Sequence, residues 1–280
     1  MRKHRPSYRK PVRRKPIRKA IRVHAPPSLT FQPNTVYQFS TRKQALADLP
    51  EDARCILLLG GHIVNELTTL NRLLLFSMKV WNDPIENTYA SVQYWTITRL
   101  IIGKVAEGLD VFQRRILGKP FGRTNLPLVE MRPEGAQAVV KLKMMLGDTG
   151  LLRRLRNHHT FHNPSDDLLT AAFAKLSETE NWSMMAATSR HTVLFPMSNV
   201  VVTQALIDAT GKADIREAIE LIRDELLNAA DALILFFESL TIAISDANDL
   251  FFGAPVAVKD TRDLPDGLEV RIPPLCRDTK

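Results

Sequence analysis

Between Arg153 and His162 the chain gathers three guanidinium groups and three imidazoles, and Arg154 to Pro164 reads Arg-Leu-Arg-Asn-His-His-Thr-Phe-His-Asn-Pro. Arginine offers a planar fork that stays charged, so Arg156, Arg154 and Arg153 suit phosphate oxygens and the extra negative charge of a pentacoordinate phosphorus. Histidine titrates near neutrality, so His158, His159 or His162 could take a proton from a ribose 2′-hydroxyl or return one to a leaving oxygen. RNA supplies its own nucleophile. The chemistry implied is phosphodiester cleavage without a metal, giving a 2′,3′-cyclic phosphate and a 5′-hydroxyl end, and no cofactor is expected.

Two plainer readings compete. His158 and His162 lie four residues apart, a spacing that can chelate zinc from one helix face. Three nearby guanidiniums repel a dication, however, and no Asp, Glu or Cys stands within the segment to support the pair, so metal is the weaker reading. Taken alone, His162 is explained as a helix-end residue that caps carbonyls and complements the helix dipole. Geometry also constrains the pairing, because in an unbroken helix Arg156 and His162 diverge by about 120° and lie about 9 Å apart along the axis. Pro164 disfavours the α conformation at Asn163, which would let the chain turn near His162. A second copy across a two-fold axis is the other way to gather these groups. Phosphate-binding loops, Gly-x-Gly-x-x-Gly, the Gly-x-Ser-x-Gly elbow and His-Glu-x-x-His are all missing, which excludes nucleotide hydrolysis by a P-loop.

The elements that must position this segment read as helices. Asp48, Pro50, Glu51 and Asp52 form a start signal with Asp48 as a capping carboxylate, and Ile56, Leu59, Ile63, Leu67, Leu70 and Leu74 then recur at three- and four-residue steps. Gly60 and Gly61 interrupt that helix at about 1 kcal/mol each, so a kink or a close helix contact is expected there. Asp83 and Pro84 start a second long helix whose stripe, from Tyr89 through Val92, Trp95, Ile102, Ala106, Leu109 and Phe112 to Ile116, extends to about residue 117. A loop at 118–133 precedes helices at about 134–146 and 149–162. Ser165 begins another to about 177, residues 178–196 are ambiguous, and a helix at 197–209 stops before Gly211. The last helix carries the cleanest seam: Ile215, Ile219, Ile222, Leu226, Ala229, Leu233, Phe236, Leu240 and Ala243, as in a long antiparallel bundle. Within the stripes, Glu66 and Arg99 are candidates for a buried pair, against the plainer reading of separate structural or solvent contacts. Tyr89 and Trp95 could stack bases, but aromatics at helical spacing are usually core.

Length and composition agree with that architecture. A chain of 280 residues, 45% apolar and 24% charged, can bury a real core, and 12 glycines are few for a turn-rich β fold. Even the most apolar stretch, Ala232 to Phe237, is closed by Asp231 and Glu238, so no membrane span is expected. The opening segment is charged rather than apolar, so no secretory signal is read there. Two widely separated cysteines, Cys55 and Cys276, suit a reducing cytoplasm. The net charge of +8 is concentrated: residues 1–24 hold eleven Lys and Arg and no acid, and the other 27 face 30 Asp and Glu, which leaves −3. Such an arm, broken by Pro6, Pro11 and Pro16, cannot bury apolar surface and is expected to be disordered when free. Arg13, Arg14 and Lys15 at its centre would meet phosphates through counterion release, without reading sequence. A solubilising or targeting tail is the plainer alternative, and the prolines argue against an amphipathic presequence.

Arg156 followed by Asn157, with five residues before His162, resembles the R-x(4–6)-H signature of HEPN domains. Two long helices before the motif and one near the end make the abortive-infection type the nearest likeness, over roughly residues 45 to 248. The resemblance implies a metal-independent endoribonuclease in phage defence or a toxin-antitoxin system, dimeric, with both motifs in one cleft. Arg156 would then polarise the scissile phosphate, His162 act as general acid or base, and Asn157 orient groups, with His158 and His159 auxiliary. Arg154 with His159 also fits the signature, although Leu155 then fills the polar position. The expected architecture is all-α: a basic disordered arm and linker at 1–44, an antiparallel bundle of long helices at 45–248, and an extended tail at 249–280. Expected partners are RNA, a second copy, and an antitoxin or regulatory protein. The competing hypothesis is a nonenzymatic scaffold of the same fold that binds nucleic acid or a nucleotide.

Overall fold

A computed structural model describes residues 35–118, 131–147, 151–159, 164–179, 183–185, 193–250, 256–260, 270 and 272–273. In chain order these form β1 (Thr35–Gln38), α1 (Lys43–Ala47), α2 (Glu51–Ser77), α3 (Pro84–Val111), a π-helical turn (Phe112–Leu117), α4 (Pro133–Gly147), α5 (Leu151–His159), α6 (Asp166–Ala174), α7 (Pro196–Asp208), α8 (Ile215–Ala247) and β2 (Val256–Asp260). Among the described residues the fold is all-α apart from one short two-stranded ribbon and an isolated bridge.

The apolar seam of α8 is the axis around which α2, α3, α4 and α5 pack, with α1 resting on α2 and α6 on α7. Asp214 caps its first turn by accepting from the Glu217 amide at 3.0 Å. Ile222, Leu226, Ala229, Leu233, Phe236, Leu240 and Ala243 are all buried, whereas Ile215 at the open end is 54% exposed. Gly60 faces Phe237, Gly108 faces Leu233 and Gly135 faces Ser239. With Leu74 beside Ile222, these contacts run α2 and α4 antiparallel to α8, and α3 parallel to it. Edge-to-face stacking of Phe112 on Phe236, and of Phe236 on Phe237, with centroids 4.9 Å apart in each pair, closes the centre.

Gly60 is therefore a close helix contact: a Cβ there would lie 2.5 Å from Phe237 Cδ1. Gly61 has nothing within 4 Å, so only the first glycine is required by packing. Among the described residues α8 is the one helix long and apolar enough to cross a membrane by length and composition, with a mean hydropathy of 1.6 over a window that is 56% buried. The sequence reading, which demanded an uncharged run, overlooked it. Its apolar face is covered by α2, α3, α4 and α5.

Several local expectations change. Asp48 does not cap α2; it follows α1, accepts from Gln44 Nε2 at 2.8 Å, and leaves Pro50 at the α2 cap position. Asp83 caps α3 as expected, accepting from the amides of Ile85 and Glu86 at 2.7 and 3.0 Å. The stripe that runs past α3 does so through the π turn, where the Gly118 amide reaches the Gln113 carbonyl at 2.9 Å. That wider turn keeps Phe112 and Ile116 buried. The segments read as linker and tail each supply a strand: β1 and β2 pair antiparallel, with a register shift between Val36 and Tyr37. No local signal marks this, because pairing between distant segments shows only in three dimensions. Within 178–196, Met185 and Leu194 form an isolated bridge. Most of the 118–133 loop and the whole 1–24 arm lie outside the described residues.

Candidate functional site

Leu151, Leu152 and Leu155 anchor the motif helix. All three are buried, Leu155 completely, and they seat α5 against α3, α7 and α8. Nine residues are too few for a stable isolated helix, so packing holds it. Arg156 is half-buried and Arg154 exposed.

Both arginines line a cleft of about 620 Å³ between the C-terminal ends of α3, α4 and α7, the π turn and the first half of α8. Two residues apart they diverge by about 200° around the helix, so it is the length of their side chains that brings both to one opening. Lys141 of α4 adds a third cation at the rim. Ala106, Leu109, Leu151 and Leu152 form an apolar floor, and Met144, 70% exposed, stands with Met145 on one wall. Asp110 and Glu225 bring carboxylates, Gln113 and Asn228 bring amides. The volume is that of a small-molecule or single-nucleotide site.

No protein-family model, curated protein or solved structure matches this chain.

Arg156 and Arg154, two of the residues singled out from sequence, meet in the cleft. Arg153, Asn157, His158 and His159 belong to α5, which ends at His159. His162, Arg13, Arg14 and Lys15 lie outside the described residues. Among the described residues no group of three or more His, Cys, Asp or Glu could hold a metal.

Lys141, Asp110, Gln113, Glu225 and Asn228 are the residues the sequence reading missed. Asp110 at the end of α3 lies three residues before Gln113 of the π turn, and Glu225 lies three residues before Asn228 on α8. Spacing alone made them look like any solvated face.

Elsewhere the charged residues resolve into structure. Glu66 and Arg99 do not pair. Glu66 takes Lys104 at 2.8 Å and His62 at 3.1 Å, and Lys104 also reaches Glu107 at 2.7 Å. Burial pulls the Lys104 ammonium down, but the hydrogen bonds it donates to Glu107 and Glu66, with their negative charge, outweigh it and hold the pKa above its ordinary value. Arg99 ties α3 to α7 through Asn199 Oδ1 at 3.3 Å, and burial lowers its pKa. Tyr89 is buried and Trp95 is stacked edge-on by Tyr94 at 5.4 Å, so both are packing residues. A second, smaller cleft of about 410 Å³ lies between α2 and the π turn, with the exposed Cys55, His62 and Arg115 on its walls.

Proposed function

We propose that the chain is a metal-independent endoribonuclease of the HEPN type. In this reading it acts on cytoplasmic RNA as a homodimer, within a phage-defence or toxin-antitoxin system whose antitoxin or regulator holds it in check. The observation that carries the reading is the meeting of Arg156, Arg154 and Lys141 at one cleft, beside a helix that closes on two histidines shortly before His162. Converging cations bind and polarise a phosphate in a partly dry site far better than isolated ones on an open surface. Arg156 holds the scissile phosphate; His162 moves the proton between the 2′-hydroxyl and the leaving oxygen. Asn157, His158 and His159 support the site, and the arm around Arg13, Arg14 and Lys15 with Arg153 collects the RNA backbone.

Purified protein incubated with RNA in excess chelator should leave 2′,3′-cyclic phosphate ends. Arg156→Ala and His162→Ala should each slow cleavage at least about 100-fold. Cleavage that stops on chelation, or that survives both substitutions, would falsify the proposal.

A second reading is favoured by one feature. Asp110 and Glu225 stand in the same cleft over an apolar floor, an arrangement suited to a nucleotide held rather than cut. It would show as RNA or nucleotide binding with no cyclic phosphate product.

A further inference from the structure

Carboxylates are poor company for a polyanion, yet Glu225 lines the same cleft as Arg154 and Arg156. A phosphate backbone would avoid that wall, so what lies against it must be something other than phosphate. Asp110 is engaged by Arg114 at 3.3 Å. Glu225 has no hydrogen bond or ion pair to any other described residue, although its neighbours on α8, Arg223 and Asp224, pair with each other. On α8 it stands about one turn from Leu221 and Asn228, and Met144, Met145 and Leu151 line the same cleft beside the cations Lys141, Arg154 and Arg156. Methionine and leucine walls suit the face of a nucleobase, and a carboxylate is an acceptor only.

We infer that the cleft takes one unpaired guanine base, read by Glu225, while Arg156 holds the adjoining phosphate. The choice of base follows from donors and acceptors. Guanine presents two neighbouring donors on its Watson–Crick edge, N1–H and the N2 amine, which match the two oxygens of a carboxylate. Adenine and cytosine set a ring-nitrogen acceptor beside their amine, so one carboxylate oxygen meets a lone pair. Uracil sets its single N–H between two carbonyls. Only guanine gives Glu225 a bidentate partner. In the nuclease reading, on which the phosphate contact rests, this makes the enzyme selective for a linkage beside guanosine.

The test separates base reading from catalysis. Short oligouridines bearing 2′-O-methyl groups cannot be cleaved by 2′-hydroxyl attack, and their binding is followed by fluorescence anisotropy. An oligomer with one central guanine should bind about tenfold more tightly than those with adenine, cytosine or inosine, the last lacking only the N2 amine. Glu225→Gln and Glu225→Ala should both bring all four to the same weaker affinity, with circular dichroism unchanged. Equal binding of every oligomer to the wild-type chain, or a guanine preference that persists in both variants, overturns the inference. Guanine preference without cleavage of unmodified RNA leaves the inference standing and removes the nuclease; cleavage with no preference does the reverse.

Discussion

The seam helix α8 and the motif helix α5 use apolar residues to different ends. In α8 a long stripe is buried from Ile222 to Ala243 against five other helices, with hydroxyl-bearing Ser239 and Ser245 as its buried polar residues. In α5 three leucines anchor nine residues, and the rest of the helix carries cations and histidines. The first concentrates stability in packing that tolerates little change. The second uses just enough burial to hold its arginines at a cleft, and like charges gathered there oppose folding rather than assist it. Stability thus rests mainly on the α8 seam, whereas the arginines of the cleft come from α5, and separate substitutions should reach each one.

The sharpest test of that division is Phe236→Ala. It empties the centre of the stack formed with Phe112 and Phe237, and urea unfolding should show a loss of about 3–5 kcal/mol. A loss below about 1 kcal/mol would mean that the α8 seam is not the main source of stability. Gly60→Ala comes next. Its new methyl meets Phe237 at 2.5 Å, and forcing the helices apart should lower stability by about 1–3 kcal/mol.

Arg154→Ala addresses the other side of the comparison. The residue is exposed, so unfolding free energy should stay within about 0.5 kcal/mol of wild type. RNA affinity should fall, and the slope of log affinity against log salt should shrink by about one. A variant that loses stability but not affinity would make Arg154 a packing residue and blur the contrast.

Smaller effects refine it. Gly61 has open space beside it, so Gly61→Ala should raise stability by about 0.5–1 kcal/mol, in contrast to its neighbour. Lys104 provides a pH signature. Its pKa is raised in the folded state above an ordinary value of 10.5, so its contribution is complete below that value and is lost as pH climbs through the raised one. Urea midpoints of wild type and Lys104→Met should therefore converge as the solution becomes strongly alkaline; a constant gap from neutral to alkaline pH would remove the Glu66–Lys104–Glu107 network as its cause.

The helices were legible where burial is periodic. The stripes of α2, α3 and α8 follow from residue spacing, because a long helix against a core must repeat its apolar residues every three or four positions. Asp83, Ser165 and Asp214 mark helix starts through their own side chains, each accepting from an amide in the first turn. Asp48 misled because a carboxylate before proline looks the same whether it begins a helix or follows one. The π turn was hidden too, since Phe112 and Ile116 keep the same apolar spacing while the backbone takes an extra residue. Of the site, Arg154 and Arg156 stood out through density alone.

What the sequence determined by itself was local: an all-α chain, most of its helix starts, the apolar seam of α8, and a cation-rich helix between leucines. These properties depend on near neighbours along the chain. Tertiary structure alone decided that Lys141, Asp110 and Glu225 would face Arg154 and Arg156 across one cleft, that Gly60 but not Gly61 would meet a phenylalanine, and that two flanking segments would pair as a ribbon. Each of those joins residues far apart in sequence, whose approach depends on how the helices pack, and no spacing along the chain records that distance.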